Sequence, residues 1–235
     1  MAPTRPVSRL ELLKGSPMFS SLSDEQLALL ADRLMPARFR RNEIIFLKHD
    51  PGDALYVICS GRIKISVPNP DGKDLIINIY GPGEVFGEMS LFDGLARSAA
   101  ATALEQVEAL RLSREAFEEV LASVHGLALS IIRMLSRRLR YSTEQTEMIG
   151  LFGAYDRVAL KLLQLAPATP EGATRRYEVN LSQQELAAML GLTREWLNKV
   201  LKTFADEGVI ALTWGKVTVL DADALKRWGD LGAKV

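Results

Sequence analysis

At Arg114 the apolar residues of this chain stop alternating and begin to recur at helical spacing, so neither one sheet nor one bundle accommodates both halves. Before that point, from about Glu43 to Leu112, short β-prone runs alternate with turn residues: "NEIIFLKHDPGD", "ALYVICSGRIKISV", "PNPDGKDLIINIYGPGE" and "SAAATALEQVEALRL". Short strands punctuated by Gly, Pro, Asp and Asn predict an antiparallel barrel or sandwich. Two helical patterns precede it, Ser8–Lys14 and Asp24–Leu34, the second with Ser23 placed to cap it. The chain is therefore expected to be α+β, with an N-terminal antiparallel β-barrel followed by helical material.

The first helical stretch after the barrel is long. In "LALSIIRMLSRRLRYSTEQTEMIG", Ala128, Ile132, Leu135, Leu139, Ser142, Thr146 and Ile149 recur at alternating steps of four and three, a heptad seam. Arg133, Arg137, Arg138, Arg140, Glu144 and Glu147 flank it and leave only a narrow apolar stripe. A narrow stripe suits a seam between two helices better than a broad core face, which predicts a homodimer through this helix. The alternative is a core helix packed on its own barrel. The seam becomes polar at Ser142 and Thr146. Gly150 and Gly153, in "IGLFGAYD", mark a hinge, giving a β-rich domain over 1–126, a dimerisation helix over 127–150 and a third region over 151–235.

That third region reads as a helix (Tyr155–Leu165), a loop over 166–176, a short strand over 177–181, two helices and a hairpin-like end. Its informative stretch is "LSQQELAAMLGLTREWLNKVLKTFADEGVI". Ser182 and Glu185 form a capping box that opens a helix, Gly191 can take the left-handed conformation that ends it, and Thr193 caps the next. Leu197, Val200, Leu201 and Phe204 then point inward while Arg194, Glu195, Asn198, Lys199 and Lys202 point out. Two short helices about a glycine turn, with a polar outer face on the second, predict a helix-turn-helix, which the family resemblance given below makes a winged one. An ordinary helical hairpin with a solvated face is the plainer alternative, and the near balance of acidic and basic residues after Phe152 favours it.

One further stretch needs a chemical explanation. "GEVFGEMSLFDGLARSAA" places one carboxylate, Glu88, and one guanidinium, Arg97, among Phe86, Met89, Leu91, Phe92, Ala99 and Ala100. Charges in such company are costly unless paired or liganded, so the two either form a structural ion pair or hold a ligand between them.

Barrel, seam helix and helix-turn-helix, in this order and at this length, resemble the cyclic-nucleotide receptor and fumarate–nitrate regulator superfamily of bacterial transcription factors. The resemblance covers about Leu10 to Leu220. "GEMSLFDGLARSA" resembles the phosphate-binding cassette of its nucleotide-binding members, and "LTREWLNKVLK" its recognition helix. The resemblance implies a jelly-roll-like cyclic-nucleotide-binding domain. In it Gly87, Glu88, Met89, Ser90, Arg97 and Ser98 line the ligand site, with Arg138, Ser142 and Thr143 on the long helix. Arg97 supplies a forked, permanent cation for a phosphodiester, and Ser98 and the backbone amides after Gly87 face the same anion. Glu88 accepts from the ribose 2′-hydroxyl, and Ser142 and Thr143 contact the base. A hydroxyl suits adenine and guanine alike; the resemblance makes cyclic AMP the expected effector, with cyclic GMP as the alternative. The resemblance further implies that Ser182, Thr193, Arg194, Glu195, Trp196, Asn198, Lys199 and Lys202 meet double-stranded DNA at an inverted repeat. RNA polymerase is the implied further partner. Lys199 stands where many relatives carry a second Arg. A regulator of the same fold that binds no nucleotide, controlled by abundance or by a protein partner, is the alternative.

Composition sets bounds on other classes. At 235 residues with a formal net charge of zero, 48% hydrophobic and 25% charged, the chain reads as ordinary globular material. The single cysteine, Cys59, excludes an internal disulfide, and His49, His125 and Cys59 are too scattered for a haem or metal site. No paired nucleophile and base, no P-loop and no metal-ligand spacing argue for an enzyme. "MAPTRPVSRLELLKGS" lacks the apolar core of a signal peptide, and no 18-residue apolar run occurs, so the expected compartment is the cytoplasm with no membrane partner.

Overall fold

The structure, a computed structural model, describes residues 9–68, 74–124, 126–165, 177–213 and 216–231. The chain divides into two compact units, Met1–Leu139 and Arg140–Val235, which share one long helix.

The first unit opens with α1 (Arg9–Gly15) and α2 (Asp24–Ala31). Ser23 and Gln26 cap α2 reciprocally: the Ser23 Oγ accepts the Gln26 N–H at 3.3 Å and Gln26 Oε1 accepts the Ser23 N–H at 3.0 Å. The helix stops at Ala31 rather than at Leu34: Arg33 and Leu34 donate to Leu30 and Ala31, three residues back, in tighter turns. The chain turns instead into β1 (Met35–Phe39), a strand that the pattern "MPARF" does not announce. There follow β2 (Ile44–Phe46), β3 (Ala54–Ser60), β4 (Ile63–Pro68), β5 (Asp74–Tyr80), β6 (Val85–Phe86), the short helix α3 (Met89–Asp93), β7 (Ala100–Ala103) and β8 (Val107–Ser113).

These strands form two four-stranded antiparallel sheets, ordered β1-β8-β3-β6 and β2-β7-β4-β5. This is the antiparallel sandwich that the strand–turn rhythm predicts, in the jelly-roll-like form that the resemblance implies. Phe86 packs with Ile58, Ile63, Val107 and the small Ala101, Ala103 and Ala109. Methyl side chains there leave room for the stacked rings of Tyr56 and Phe86, 5.0 Å apart.

Helix α4 (Arg114–Ser123) leaves β8 through Ser113, whose hydroxyl accepts the Ala116 N–H. Helix α5 (Leu127–Leu151) follows, and its faces are unlike. Leu127, Ile131 and Met134 join the core of the first unit beside Leu13, Phe19 and Phe117. Met148, further along, joins the core of the second. The heptad stripe lies on the other side: Ala128, Ile132, Leu135, Leu139, Ser142, Thr146 and Ile149 are all exposed, Ile132 by 59% and Leu139 by 70%.

The second unit continues with α6 (Ala154–Gln164), β9 (Tyr177–Val179), α7 (Gln183–Leu190), α8 (Arg194–Asp206), β10 (Ile210–Thr213), β11 (Lys216–Val219) and α9 (Ala222–Leu231). Its antiparallel sheet runs β10-β11-β9. Two sequence expectations change here. The expected hinge narrows, since α5 runs through Gly150 to Leu151; the helix breaks at Phe152–Gly153, where the Gly153 N–H donates to Asp156 at 3.1 Å and starts α6. Helix α9 was not expected either. Asp221 Oδ1 caps it, accepting from the N–H groups of Asp223 and Ala224, and Trp228 stacks on Tyr155 at 5.5 Å. The expected loop over 166–176, the wing turn at 214–215, Ser8 and His125 lie outside the described residues.

Candidate functional site

The cassette is built by a left-handed turn. Gly87 has φ +76, and a Cβ there would press on Arg97 Nη1 at 2.9 Å and on Phe46 at 3.2 Å, so only glycine fits. The turn leads into α3, which ends at Gly94 with φ 72. The loop after α3 returns Arg97 beneath the turn, held at the backbone by Arg97 N–H to Asp50 O at 2.9 Å and His49 N–H to Arg97 O at 2.8 Å.

Arg97 is 3% exposed. Its Nη1 donates to the Gly87 carbonyl and its Nη2 to the Ala54 carbonyl at 2.8 Å, while the guanidinium lies over the Phe46 ring at 4.2 Å. Asp53, itself bound to Arg111 at 2.7 Å, approaches no nearer than 3.7 Å. Its Nε is buried and has no hydrogen-bond partner among the described residues. Burial pushes the Arg97 pKa down, against the opposing influence of Tyr56, Asp53 and Glu88. A buried cation whose donors meet carbonyls, one distant carboxylate and nothing at Nε is short of an anion.

Glu88 is 2% exposed and faces a different partner from the one its sequence neighbourhood suggests. Its carboxylate pairs with Arg138 of α5, whose other terminal nitrogen donates to the Val85 carbonyl and whose guanidinium sits 4.9 Å above the Tyr80 ring. Burial raises the Glu88 pKa, and Arg138 pulls it back toward the ionised form. The alternative of a Glu88–Arg97 ion pair is thus not what forms: each charge has its own partners. Glu88 and Arg138 instead tie the cassette to the long helix.

Among the other expected ligand residues, Met89 and Ser98 are exposed beside each other, with the Ser98 hydroxyl 3.7 Å from the Met89 sulfur. Ser90 is 2% exposed, its side chain packed against Gly52. Ser142 and Thr143 are exposed on α5 within the second unit. The residues that sequence reasoning passed over are Gly52, Asp53, Arg111 and Arg114, which are far from the cassette in the chain and gather at it only through the sheet. "HDPGDA" carries the one local hint, a turn rich in Gly, Pro and Asp ahead of β3.

In the second unit the helix-turn-helix takes the expected form. Ser182 and Glu185 cap α7 reciprocally at 3.2 and 2.6 Å, Gly191 turns the chain at φ 62, and the Thr193 hydroxyl accepts the Trp196 N–H at 3.2 Å. Leu197, Val200, Leu201 and Phe204 are fully buried. Ser182, Thr193, Arg194, Glu195, Trp196, Asn198, Lys199 and Lys202 are all exposed. Trp196 does not pack inward; its ring lies under the Lys199 ammonium at 4.9 Å, so the two form one amphipathic surface element.

A jelly roll that buries an anion-seeking guanidinium, followed by a long helix and a winged helix-turn-helix, defines a ligand-sensing DNA-binding regulator. Comparison with known proteins agrees. The Cyclic nucleotide-binding domain family matches residues 36–124 and the Crp-like helix-turn-helix domain residues 156–228. The CRP-like cAMP-activated global transcriptional regulator of Mycobacterium tuberculosis is 35% identical, over 92% of this chain and 98% of that one. The Cyclic AMP receptor protein of Thermus thermophilus is 34% identical, over 91% and 97%. The crystal structure of the Thermus thermophilus Catabolite Activator Protein matches with a TM-score of 0.54 at 33% identity, covering 92% of this chain and 99% of that one. The chain belongs to the CRP/FNR family and is a cyclic nucleotide-binding transcription regulator of the CRP type. Among the described residues no group of His, Cys, Asp or Glu is placed to hold a metal ion, and no single helix is long and apolar enough to cross a membrane.

Proposed function

We propose that this protein is a homodimeric, cyclic AMP-responsive regulator of transcription that acts on inverted-repeat DNA in the cytoplasm. The observation that carries the ligand is Arg97, a buried guanidinium with an orphaned Nε, for which a cyclic phosphodiester supplies the missing anion. Glu88 takes the ribose 2′-hydroxyl, and its pairing with Arg138 supports a route from ligand to α5. Ser142 and Thr143 take the base on the strength of the resemblance. The relatives named above for cyclic AMP favour that nucleotide over cyclic GMP.

The dimer rests on the exposed stripe of α5. Leu135, Leu139, Ile132 and Ile149 form an apolar line at heptad spacing that the described residues leave exposed and that a second copy of the same helix would cover. Ligand binding shifts the pairing of these helices and the Phe152–Gly153 break, which changes how the two α8 helices meet successive DNA half-sites. RNA polymerase is the further partner, in keeping with the regulatory role for which the relatives are named.

Calorimetric titration with cyclic AMP and cyclic GMP tests the ligand. A competing reading, regulation without nucleotide, is favoured by the capture of both Arg97 terminal nitrogens on carbonyls. Absence of heat with either nucleotide establishes that reading and overturns the first. For the dimer, Leu135→Glu with Leu139→Glu sets like charges against each other across the seam, and light scattering is expected to report a monomer.

A further inference from the structure

We infer that Arg114 is a positioning residue for the nucleotide cassette, a role that rests on the reading of the cassette as the phosphate site. Arg114 is the first residue of α4, and its side chain reaches two segments that are distant in sequence. One nitrogen, Nη2, donates to the Gly52 carbonyl at 2.7 Å and to the Ser90 carbonyl at 2.8 Å. Its own backbone N–H donates to Asp53 O at 2.8 Å. One guanidinium therefore joins the 50–54 turn, the middle of α3 and the start of α4.

The fit between the two joined segments is close. A Cβ on Gly52 would overlap the Ser90 Cβ, stand 2.5 Å from the Ser90 hydroxyl and lie 3.5 Å from the Arg97 guanidinium carbon. Ser90 is buried, so it has no solvent side to retreat to. Ser90 O also accepts the Gly94 N–H at 3.1 Å, the bond that closes α3. Arg114 thus pulls on the same carbonyl that terminates the cassette helix, while the bare Gly52 lets the helix seat against the turn that carries Asp53 and the Ala54 carbonyl. Both of those groups contact Arg97. Arg114 itself touches no proposed ligand atom. It sets where Arg97 and α3 stand relative to each other, and it does so through one terminal nitrogen that donates to both carbonyls.

The arrangement makes two demands that a merely stabilising arginine would not. In Arg114→Met and Arg114→Lys, cyclic AMP affinity is expected to fall by about ten- to a hundredfold, because Met carries no donor and the shorter lysine side chain does not bring its ammonium to where Nη2 stands. The preference between the two phosphorothioate diastereomers of cyclic AMP, which reports where the phosphate oxygens sit, is expected to shrink in both variants. Gly52→Ala, acting from the other side of Ser90, is expected to do the same. In the protein without nucleotide, hydrogen exchange at the amides of Leu91, Phe92 and Gly94 is expected to quicken in Arg114→Met, while amides in β3 and β8 keep their protection. That last measurement decides the clamp whether or not wild type binds a nucleotide, whereas the titration of wild type decides the phosphate site. Unchanged cassette exchange overturns the proposal, as does full affinity in Arg114→Lys with loss in Arg114→Met, which would make Arg114 a source of field alone. Uniformly faster exchange across the first unit also overturns it.

Discussion

The cassette and the recognition helix treat charge in opposite ways. Arg97 and Glu88 are buried at 3% and 2% exposure, the first among backbone carbonyls and the Phe46 ring, the second paired with Arg138. Arg194, Glu195, Lys199 and Lys202 stand in solvent on α8, with Lys199 resting on the Trp196 ring. A buried charge is a commitment, since removing its partner or its ligand leaves desolvation uncompensated. An exposed charge is stabilised by water until DNA replaces it, so its deletion costs the fold little. The first region should therefore lose binding steeply and all at once, the second in graded, sequence-dependent steps.

The largest effect is expected at Arg97. Arg97→Gln keeps a donor but loses the charge and the fork, and cyclic-nucleotide affinity should fall by about 2–5 kcal/mol, read by calorimetric titration. Unchanged affinity would remove the cassette from the comparison. The next effect belongs to the exposed face. Glu195 is acceptor-only and suits the cytosine amino group, whereas Arg194 suits guanine O6 and N7. Glu195→Ala is expected to relax discrimination at one base position per half-site by about 1–3 kcal/mol, with non-specific affinity retained. Selection from random DNA checks this, and an identical motif from both proteins would show that Glu195 reads no base.

A sharper contrast comes from a second buried cation. Lys161 of α6 is 3% exposed, and among the described residues its ammonium meets the Tyr141 hydroxyl, at 3.2 Å, and the Tyr141 ring. Burial pushes its pKa down. The unfolded chain then binds that proton more tightly than the folded one, so stability rises with pH between the lowered value and the ordinary lysine range. Lys161→Met is expected to be more stable than wild type at neutral pH by about 1 kcal/mol, the gap closing as the buffer becomes alkaline. Thermal unfolding at several pH values reads it. Arg97→Gln should show no such gain in nucleotide binding at any pH. The smallest expected effect is at Lys202. Lys202→Ala should weaken all DNA sequences alike and reduce the salt slope of binding by about 1.

The regions also differ in how much of them the sequence discloses. Helix α8 was legible residue by residue, because a helix cap, a glycine turn and a 3.6-residue period are local properties that survive in one dimension. The stripe on α5 was legible for the same reason. The cassette was legible only in part. "GEMSLFDGLARSA" gave Gly87, Glu88 and Arg97, but not their partners, and Ser90 turned out to face Gly52 rather than open space. Strand β1 and helix α9 escaped notice, the first because "MPARF" has no alternating pattern and pairs only once β8 is beside it.

By itself, then, the sequence determined the order of the pieces: strands, a heptad helix, two capped helices, and a charged pair in an apolar run. Each depends on spacings of a few residues, which the chain carries wherever it goes. Only the tertiary structure decided which charge meets which. Arg138 and Glu88 are 50 residues apart, Arg97 and the Ala54 carbonyl 43, Arg114 and the Gly52 carbonyl 62. No local rule fixes such pairs, because their geometry comes from the closing of two sheets over one another. The energy of a buried charge depends wholly on the groups that closure brings to it.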